Sequence, residues 1–528
     1  MVVPELRAWR AARPHVVRVA EAVGPRLARI TRTVTPRLAR AAKPKTWQLT
    51  AGAATVGLAL AAGVVTAAGP WDSSGQRTAE RDRAASWDGE GGADHGRAPG
   101  TSAKAPRPAP SAAAVLAGLG PSTGAGPDGT GNGPAASGGA LAGVLDPLLD
   151  DPALGVRRTG VVVDVATGER LYGRNVGDAL IPASTTKIAT AVAALSTAGP
   201  DHRITTRVVL EPGTEEVVLV GGGDPTLTAR AKADGYASLR ELADDTARAL
   251  KKRHLGKVTL SYDTSLYTGP AQHPIGVNGN LAPVTALMAD EGRLDDSGKG
   301  PAPRAADPAQ DAARTFADLL HDRGVETGAP GVSRAGERAK PLASVSSPPL
   351  SALVERMLTN SDNDIAEAMA RQAALASGGP ASFEGGALAI RSALKKLRLP
   401  VEGAVFADGS GLNRDDRLTA GLLTALLAEA GDPRHAELRP VLTGLPVAGF
   451  SGTLSHRYTD DVLGTGVVRA KTGTLTGVNT LAGTVVDADG RLLAFAFLTS
   501  DTEHPPNPQA AQAVLDRTAT ALAKCGCG

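Results

Sequence analysis

Cysteine is almost missing: the only two in 528 residues, Cys525 and Cys527, lie in a C-terminal "KCGCG". No disulfide framework or cysteine zinc site can therefore be built across the body of the chain. A bridge between positions two apart would be strained, so the segment reads as an unstructured tail with two thiols. Aromatic residues make up only 3% of the chain, and no positive stripe interleaved with aromatics runs through its bulk, which removes support for nucleic-acid binding. The nine histidines show no H-E-x-x-H or other ligand spacing; they read as scattered surface or core residues, and no metal site is expected. No internal repeat of fixed period is present. The run Gly221-Gly222-Gly223 is not followed by the Gly-Lys-Ser/Thr that a phosphate loop needs, so it reads as a tight turn.

Charge is concentrated at one end. Residues 1–45 carry eleven Lys/Arg against Glu5 and Glu21, a surplus of +9, while the whole chain is +2 and the remainder −7. Residues 49–69, "LTAGAATVGLALAAGVVTAAG", are uncharged, and such a length crosses a bilayer as a helix. The positive-inside rule keeps the basic leader (1–45) in the cytoplasm and sends everything after residue 70 outside. Two readings stay open: an uncleaved transmembrane anchor at 46–70, or a signal peptide cleaved near Val65-Thr66-Ala67, which leaves a secreted protein. Residues 71–140 are rich in Pro, Gly, Ser and Ala and bury too little apolar surface to offset ordering entropy. They read as a disordered tether whose ends lie roughly 45–50 Å apart.

Order is expected to resume near Leu145. "TGVVVDVATGERLYGRN" reads as two strands turning at Thr167-Gly168, and "STTKIATAVAALSTAG" has helical length with Ser184 at or near its start. Between 204 and 262, three strands surround a helix at about 236–252. The stretch 291–308 is loop-like, and "DAARTFADLLHDRG" returns to helical spacing. "GVVRAKTG", "NTLAGTVVDADG" and "RLLAFAFLTS" read as consecutive strands, with Asp489-Gly490 a turn and a helix at about 507–523 closing the chain. Helices before and after such strands predict an α/β (α+β) fold, an antiparallel sheet covered by helices, and not a doubly wound parallel one.

Ser184 and Lys187 stand at i and i+3, on one helix face, so the amine can take the hydroxyl proton as the oxygen attacks. S-x-x-K alone is weak, and Ser392 with Lys395 is a second match. That pair lies in "AIRSALKKL", a charged helical pattern, whereas Ser184 sits at a helix entry where free N–H groups can stabilise an oxyanion. Two further motifs follow: Ser361-Asp362-Asn363 and Lys471-Thr472-Gly473. Separately each has a plain structural account, an N-cap, an Asx turn and a solvated edge lysine. S-x-x-K, S-D-N and K-T-G in this order are the joint signature of penicillin-binding proteins and class A β-lactamases. An acyl-transfer site built from them needs two aimed donors for the oxyanion, and the N–H groups of Ser184 and Thr474 are the candidates. Lys187 must be neutral to act as base; desolvation and a nearby Lys471 lower its pKa. Lys471 and Thr472 offer donors to a substrate carboxylate, Ser361 relays a proton to the leaving amine, Asn363 bonds the substrate's peptide group, and Gly473 leaves room along the strand edge.

With these residues the chain resembles the D-alanyl-D-alanine carboxypeptidases and endopeptidases of the class C low-molecular-mass penicillin-binding proteins over roughly residues 145–523. Beyond the triple, "LVGGGDPTLT", "YDTSLYTGP", "LAPVTALMADEG", "SSPPLSALVERMLTNSDN", "ADGSGLNRDDRLT" and "LPVAGFSGTLSHRY" are similar to that family. The resemblance implies a serine-type transpeptidase/β-lactamase fold: catalytic residues 141–200 and 301–528, interrupted by an inserted accessory region at 201–300. It also implies peptidoglycan stem peptides as substrate, β-lactam antibiotics as inhibitors, and no cofactor. Two departures stand out. The 177 residues from Ser184 to Ser361 are fewer than the family pattern leads one to expect, which points to a reduced accessory domain, and Asn413 stands where serine is more usual. A β-lactamase is the first alternative, although no Glu-x-x-x-Asn element lies between 364 and 470 and the nearest acid is Glu402. A non-enzymatic receptor for wall peptides or β-lactams is the second, against which the intact triple argues.

Overall fold

The computed structural model describes residues 138–458, 463–501 and 507–526. The basic leader, the apolar run at 49–69 and nearly all of the expected tether lie outside the described residues. Among the described residues no helix is long and apolar enough to cross a membrane.

The first element, α1 (Gly138–Leu149), begins inside the segment read as tether. β1 (Arg157–Asp164) and β2 (Arg170–Arg174) form the expected hairpin, with Gly168 at φ +73° in its turn. β3 (Ala179–Leu180) leads into a 3₁₀ turn, Ala183–Thr185, and α2 (Thr186–Ala198). Next come β4 (Thr205–Leu210), β5 (Glu216–Val220), α3 (Leu239–Lys251), β6 (Lys257–Asp263), α4 (Pro308–His321), β7 (Glu326–Thr327), β8 (Gly331–Val332) and β9 (Lys340–Ser346). α5 (Leu350–Asn360), α6 (Asn363–Ala376), α7 (Phe383–Lys396), β10 (Leu418–Thr419), α8 (Ala420–Gly431) and α9 (Arg439–Thr443) follow. β11 (Arg469–Leu475), β12 (Val478–Val486), β13 (Leu492–Ser500) and α10 (Pro508–Lys524) close the chain.

The main sheet has the order β11-β12-β13-β1-β2 and is antiparallel throughout. Both of its faces are apolar, and β13 shows why the chain folds so. Leu493, Phe495 and Phe497 point to one side, where α1 and α10 supply Leu145, Leu149, Val514 and Leu515. Ala494, Ala496 and Leu498 point to the other, into a core built with α2 and α5 to α8. The small alanines on that face let the central helix α2 come close, and every residue from Thr186 to Leu195 is buried. A helix apolar on all sides belongs in such a core. Lys187 within it is the exception that needs an account.

The interval between Ser184 and Ser361 holds a second, mixed sheet in the order β7-β6-β5-β4-β9, with α3 and α4 packed on it around Leu242, Leu260 and Phe316. This corrects the expected boundary at residue 300. β9 pairs with β4 from Thr205↔Ser346 to Leu210↔Lys340, so the accessory sheet takes in residues up to 346. β9 was hidden in the sequence because Pro341 sits inside it and its side chains are mostly exposed, which erases the apolar alternation. The expected free tail is corrected as well: Cys525 caps α10, is half-buried and accepts a 3.1 Å hydrogen bond from the Ala488 N–H. Cys527 lies outside the described residues.

Candidate active site

Ser184 sits in the 3₁₀ turn that opens α2, where the Thr185 N–H donates to Pro182 O at 3.2 Å and the Thr186 N–H to Ala183 O. The residue before it, Ala183, is held at φ +47°, a left-handed conformation that costs an alanine of order 1 kcal/mol or more. Contacts on both sides impose it. Gly411 runs so close to the Ala183 carbonyl that a Cβ there would lie 1.9 Å from it, and Thr480 Oγ1 donates to Pro182 O at 2.8 Å. One turn on, Lys187 Nζ donates to Ser184 Oγ at 3.1 Å, to Asn363 Oδ1 at 2.7 Å and to the Ser410 carbonyl at 2.7 Å. Three acceptors use up the donors of an ammonium, or leave a neutral amine free to turn its lone pair to the serine.

α5 and α6 meet in the second motif. Ser361 takes the left-handed C-cap of α5 at φ +58°, and Asp362 caps α6 by accepting from Ile365 N–H at 3.0 Å. The middle residue of the motif is thus spent on helix geometry, which turns its neighbours into the cleft. Ser361 Oγ accepts from Lys471 Nζ at 2.9 Å. Asn363 is tied at both ends of its amide, Oδ1 to Lys187 and Nδ2 to the Asn280 carbonyl at 2.8 Å; these partners fix its flip.

The third motif lies on β11, an edge of the main sheet. Ala470 N–H points away from β12, to Pro446 O at 3.0 Å. Alternation then turns the N–H groups of Thr472 and Thr474 outward too, past the point where residues 446–447 cover the edge. Gly473 is where β11 passes the Ser184 turn: an added Cβ would meet Thr480 Oγ1 at 2.1 Å and Pro182 O at 2.7 Å. Gly473→Ala is therefore expected to push β11 off the serine and slow labelling by penicillin about tenfold or more, with far-UV circular dichroism unchanged. A labelling rate within twofold of the parent would contradict this account of the glycine.

The two amines are both fully buried. Burial brings Lys187 down to about 8, while Asp408, Asp362, Glu367 and Asp416 pull it back up. Lys471 is pushed well below the usual lysine range by burial and by the nearness of Lys187. The expectation that Lys471 lowers Lys187 is thus modified: desolvation is the cause at Lys187, and the repulsion falls on Lys471.

The comparisons with known proteins follow this geometry. The model of the D-Ala-D-Ala carboxypeptidase 3 (S13) family matches residues 141–303 and 295–522. A carboxypeptidase of Mycobacterium tuberculosis is 37% identical over 435 residues, covering 80% of this chain and 91% of its own. The carboxypeptidase DacB of Mycolicibacterium smegmatis is 38% identical, covering 74% and 85%. The chain belongs to the S13 family of D-Ala-D-Ala carboxypeptidases. It is accordingly a peptidase of the serine type. In a D-alanyl-D-alanine carboxypeptidase of Actinomadura the identity is 31%, with 72% of this chain and 84% of that one covered. The crystal structure of penicillin binding protein 4 from Haemophilus influenzae shares the fold at a TM-score of 0.60 and 22% identity, covering 74% of this chain and 99% of that one.

In this S13 carboxypeptidase the second S-x-x-K pair stands apart: Ser392 and Lys395 are exposed on α7. Glu402, the acid closest to a β-lactamase pattern, is exposed as well. Several residues of the site carried no signal of their own. Thr453, in the strap between α9 and β11, places Oγ1 at 2.9 Å from Thr472 Oγ1. Its segment, "GFSGTL", was legible only as a family match. The loop 281–304 holds the second motif through buried pairs: Arg304 to Asp364 at 2.9 Å, Arg293 to Glu291 at 2.8 Å, and Arg356 bridging Glu291 and Asp362. The stretch "ADGSGLNRDD" forms the floor under Lys187. Glu367 Oε1 accepts from Gly409 and Ser410 N–H at 3.1 and 3.0 Å, and Asp408 accepts from Gly411 and Asn413 N–H at 2.6 and 2.7 Å. Asn413 itself closes the loop, its Oδ1 accepting from Asp415 N–H at 3.0 Å.

Proposed function

We propose that this S13 carboxypeptidase removes the terminal D-alanine of peptidoglycan stem peptides through an acyl-enzyme on Ser184. The observation that carries the reading is one fully buried amine, Lys187 Nζ, shared by Ser184, Asn363 and the Ser410 carbonyl, beside a second buried amine, Lys471 Nζ, bonded to Ser361. Neutral Lys187 takes the Ser184 hydroxyl proton as Oγ bonds to the penultimate D-alanine carbonyl carbon. The N–H groups of Ser184 and Thr474 receive the oxyanion. Collapse breaks the C–N bond, the proton reaches the leaving amine by way of Ser361, and water then hydrolyses the ester and regenerates Ser184.

Lys471, Thr472 and Gly473 form the substrate side of the cleft. An extended peptide laid along the open edge of β11 finds the outward N–H of Thr474, and its terminal carboxylate finds Lys471 and Thr472. Asn363 serves the substrate with the remaining Nδ2 hydrogen while its Oδ1 stays on Lys187. β-Lactams enter by the same route and stop at the ester. Endopeptidase action on cross-links needs only a longer leaving amine. Work on peptidoglycan puts the body outside the cytoplasm, and the charge asymmetry about residues 49–69 supports an anchor there, with secretion after cleavage as the alternative.

The state of Lys471 gives a binding prediction. A buried amine held below its ordinary pKa regains its proton when a carboxylate arrives beside it. Titration of the Ser184→Ala protein with a D-Ala-D-Ala peptide near pH 8, in buffers of different ionisation enthalpy, is expected to show net proton uptake on binding. No proton exchange would remove Lys471 as the carboxylate receptor. The reading as a whole is tested by release of D-alanine from such a peptide by the purified protein; none would end it.

A further inference from the structure

His273 is 2% exposed and belongs to the inserted segment between β6 and α4, yet it reaches across to the floor of the Lys187 pocket. Its Nε2 lies 2.9 Å from Asp408 Oδ2, and its Nδ1 accepts from the Ile275 N–H at 3.1 Å. An Nδ1 that accepts carries no hydrogen, so the ring is neutral with its proton on Nε2, donated to the carboxylate. Asp408 is itself fully buried and carries the loop onward: Oδ1 takes Gly411 N–H, and Oδ2 takes Asn413 N–H and, at 3.2 Å, Ser410 Oγ. Glu367, anchored by Arg371 at 3.1 Å, holds the two N–H groups before them. Two carboxylates therefore pin the peptide units 409–411, and one of those units presents the carbonyl that Lys187 Nζ bonds.

We propose that His273 is a positioning residue for Lys187, contributed by the inserted region: its Nε2–H fixes Asp408, which fixes the Ser410 carbonyl and with it the amine beside Ser184. This rests on Lys187 acting as the base. It gives the insertion a part in the chemistry. The same insertion supplies the Asn280 carbonyl that holds the other amide end of Asn363, so two of the three acceptors around Lys187 answer to it. The titratable and charged groups gathered around His273 and Asp408 are Asp416, Glu367 with its partner Arg371, and Lys187. Phe383 meets the imidazole edge-on, with ring centroids 5.1 Å apart.

The test uses penicillin acylation of the whole protein, read as a second-order rate constant across pH 6–9. His273→Phe keeps the bulk and loses the donor. It is expected to slow acylation about tenfold or more at pH 7 and to move the acid limb of the profile. His273→Gln, which can place its amide N–H on Asp408, is expected to return the rate to within about threefold and the limb to its place. Thermal unfolding of each variant separates a folded, slow enzyme from an unfolded one. Equal losses in both variants would assign His273 to packing and overturn the proposal, as would a His273→Phe enzyme that matches the parent in rate and profile. Failure of the underlying reading looks different: the unaltered protein takes no label, or Ser184→Ala keeps it.

Discussion

Ser184→Ala is expected to take up no covalent label from a fluorescent penicillin, and release of D-alanine is expected to fall by about a thousandfold or more, to background. The loss follows from geometry. The hydroxyl is the group within reach of Lys187 Nζ, at 3.1 Å, and at the mouth of a turn whose backbone is held in a left-handed conformation at Ala183. Stability should hardly change. Lys187 keeps Asn363 Oδ1 and the Ser410 carbonyl, so the fold loses one half-exposed hydrogen bond, of about 1 kcal/mol. Ser392→Ala is the control, since that serine lies on the exposed face of α7 and should label at the parental rate. Label surviving in Ser184→Ala would move the nucleophile elsewhere and with it every role assigned above.

The pairing of Ser184 with Lys187 was legible because a three-residue spacing on a helix is a local statement, and the strands around Lys471 because alternation is one too. What the sequence concealed is long-range. Lys187 finds its acceptors 176 and 223 residues away, and one is a main-chain carbonyl that any residue type would provide. β9 escaped because a proline and exposed side chains leave no period to read. The acids Glu367 and Asp408 look like ordinary helix and loop charges until the fold buries both beside a lysine, and His273 had no ligand spacing to mark it. The short motifs thus marked the groups proposed to react, while the groups that hold them had to be seen in place.

Lys187 carries the second large effect, and it is a pH effect. Desolvation holds its amine at about 8, against the ordinary 10.5, so the proposed base is charged at neutral pH for most of the time and, on that reading, must lose its proton before Ser184 attacks. Acylation by penicillin is expected to fall about tenfold per pH unit on the acid side of that value. Lys187→Met, with a side chain of similar length and no proton to exchange, should lose about a thousandfold or more and lose the limb as well. The same shift has a sign in stability. The folded pKa lies below the unfolded one, so between about pH 8 and 10.5 the unfolded chain binds more protons, and stability rises with pH across that window. Below pH 8 both states are protonated and the cost of the buried charge, about 3 kcal/mol, is present in full. Lys471 keeps its desolvation in both proteins but is relieved of the Lys187 charge in the variant, so only the desolvation part of its contribution cancels in the difference. Urea unfolding at pH 8 and pH 10.5 should therefore show the parent gaining about 3 kcal/mol relative to Lys187→Met. Parallel curves would mean that the amine is solvated and charged throughout, and a charged amine cannot be the base.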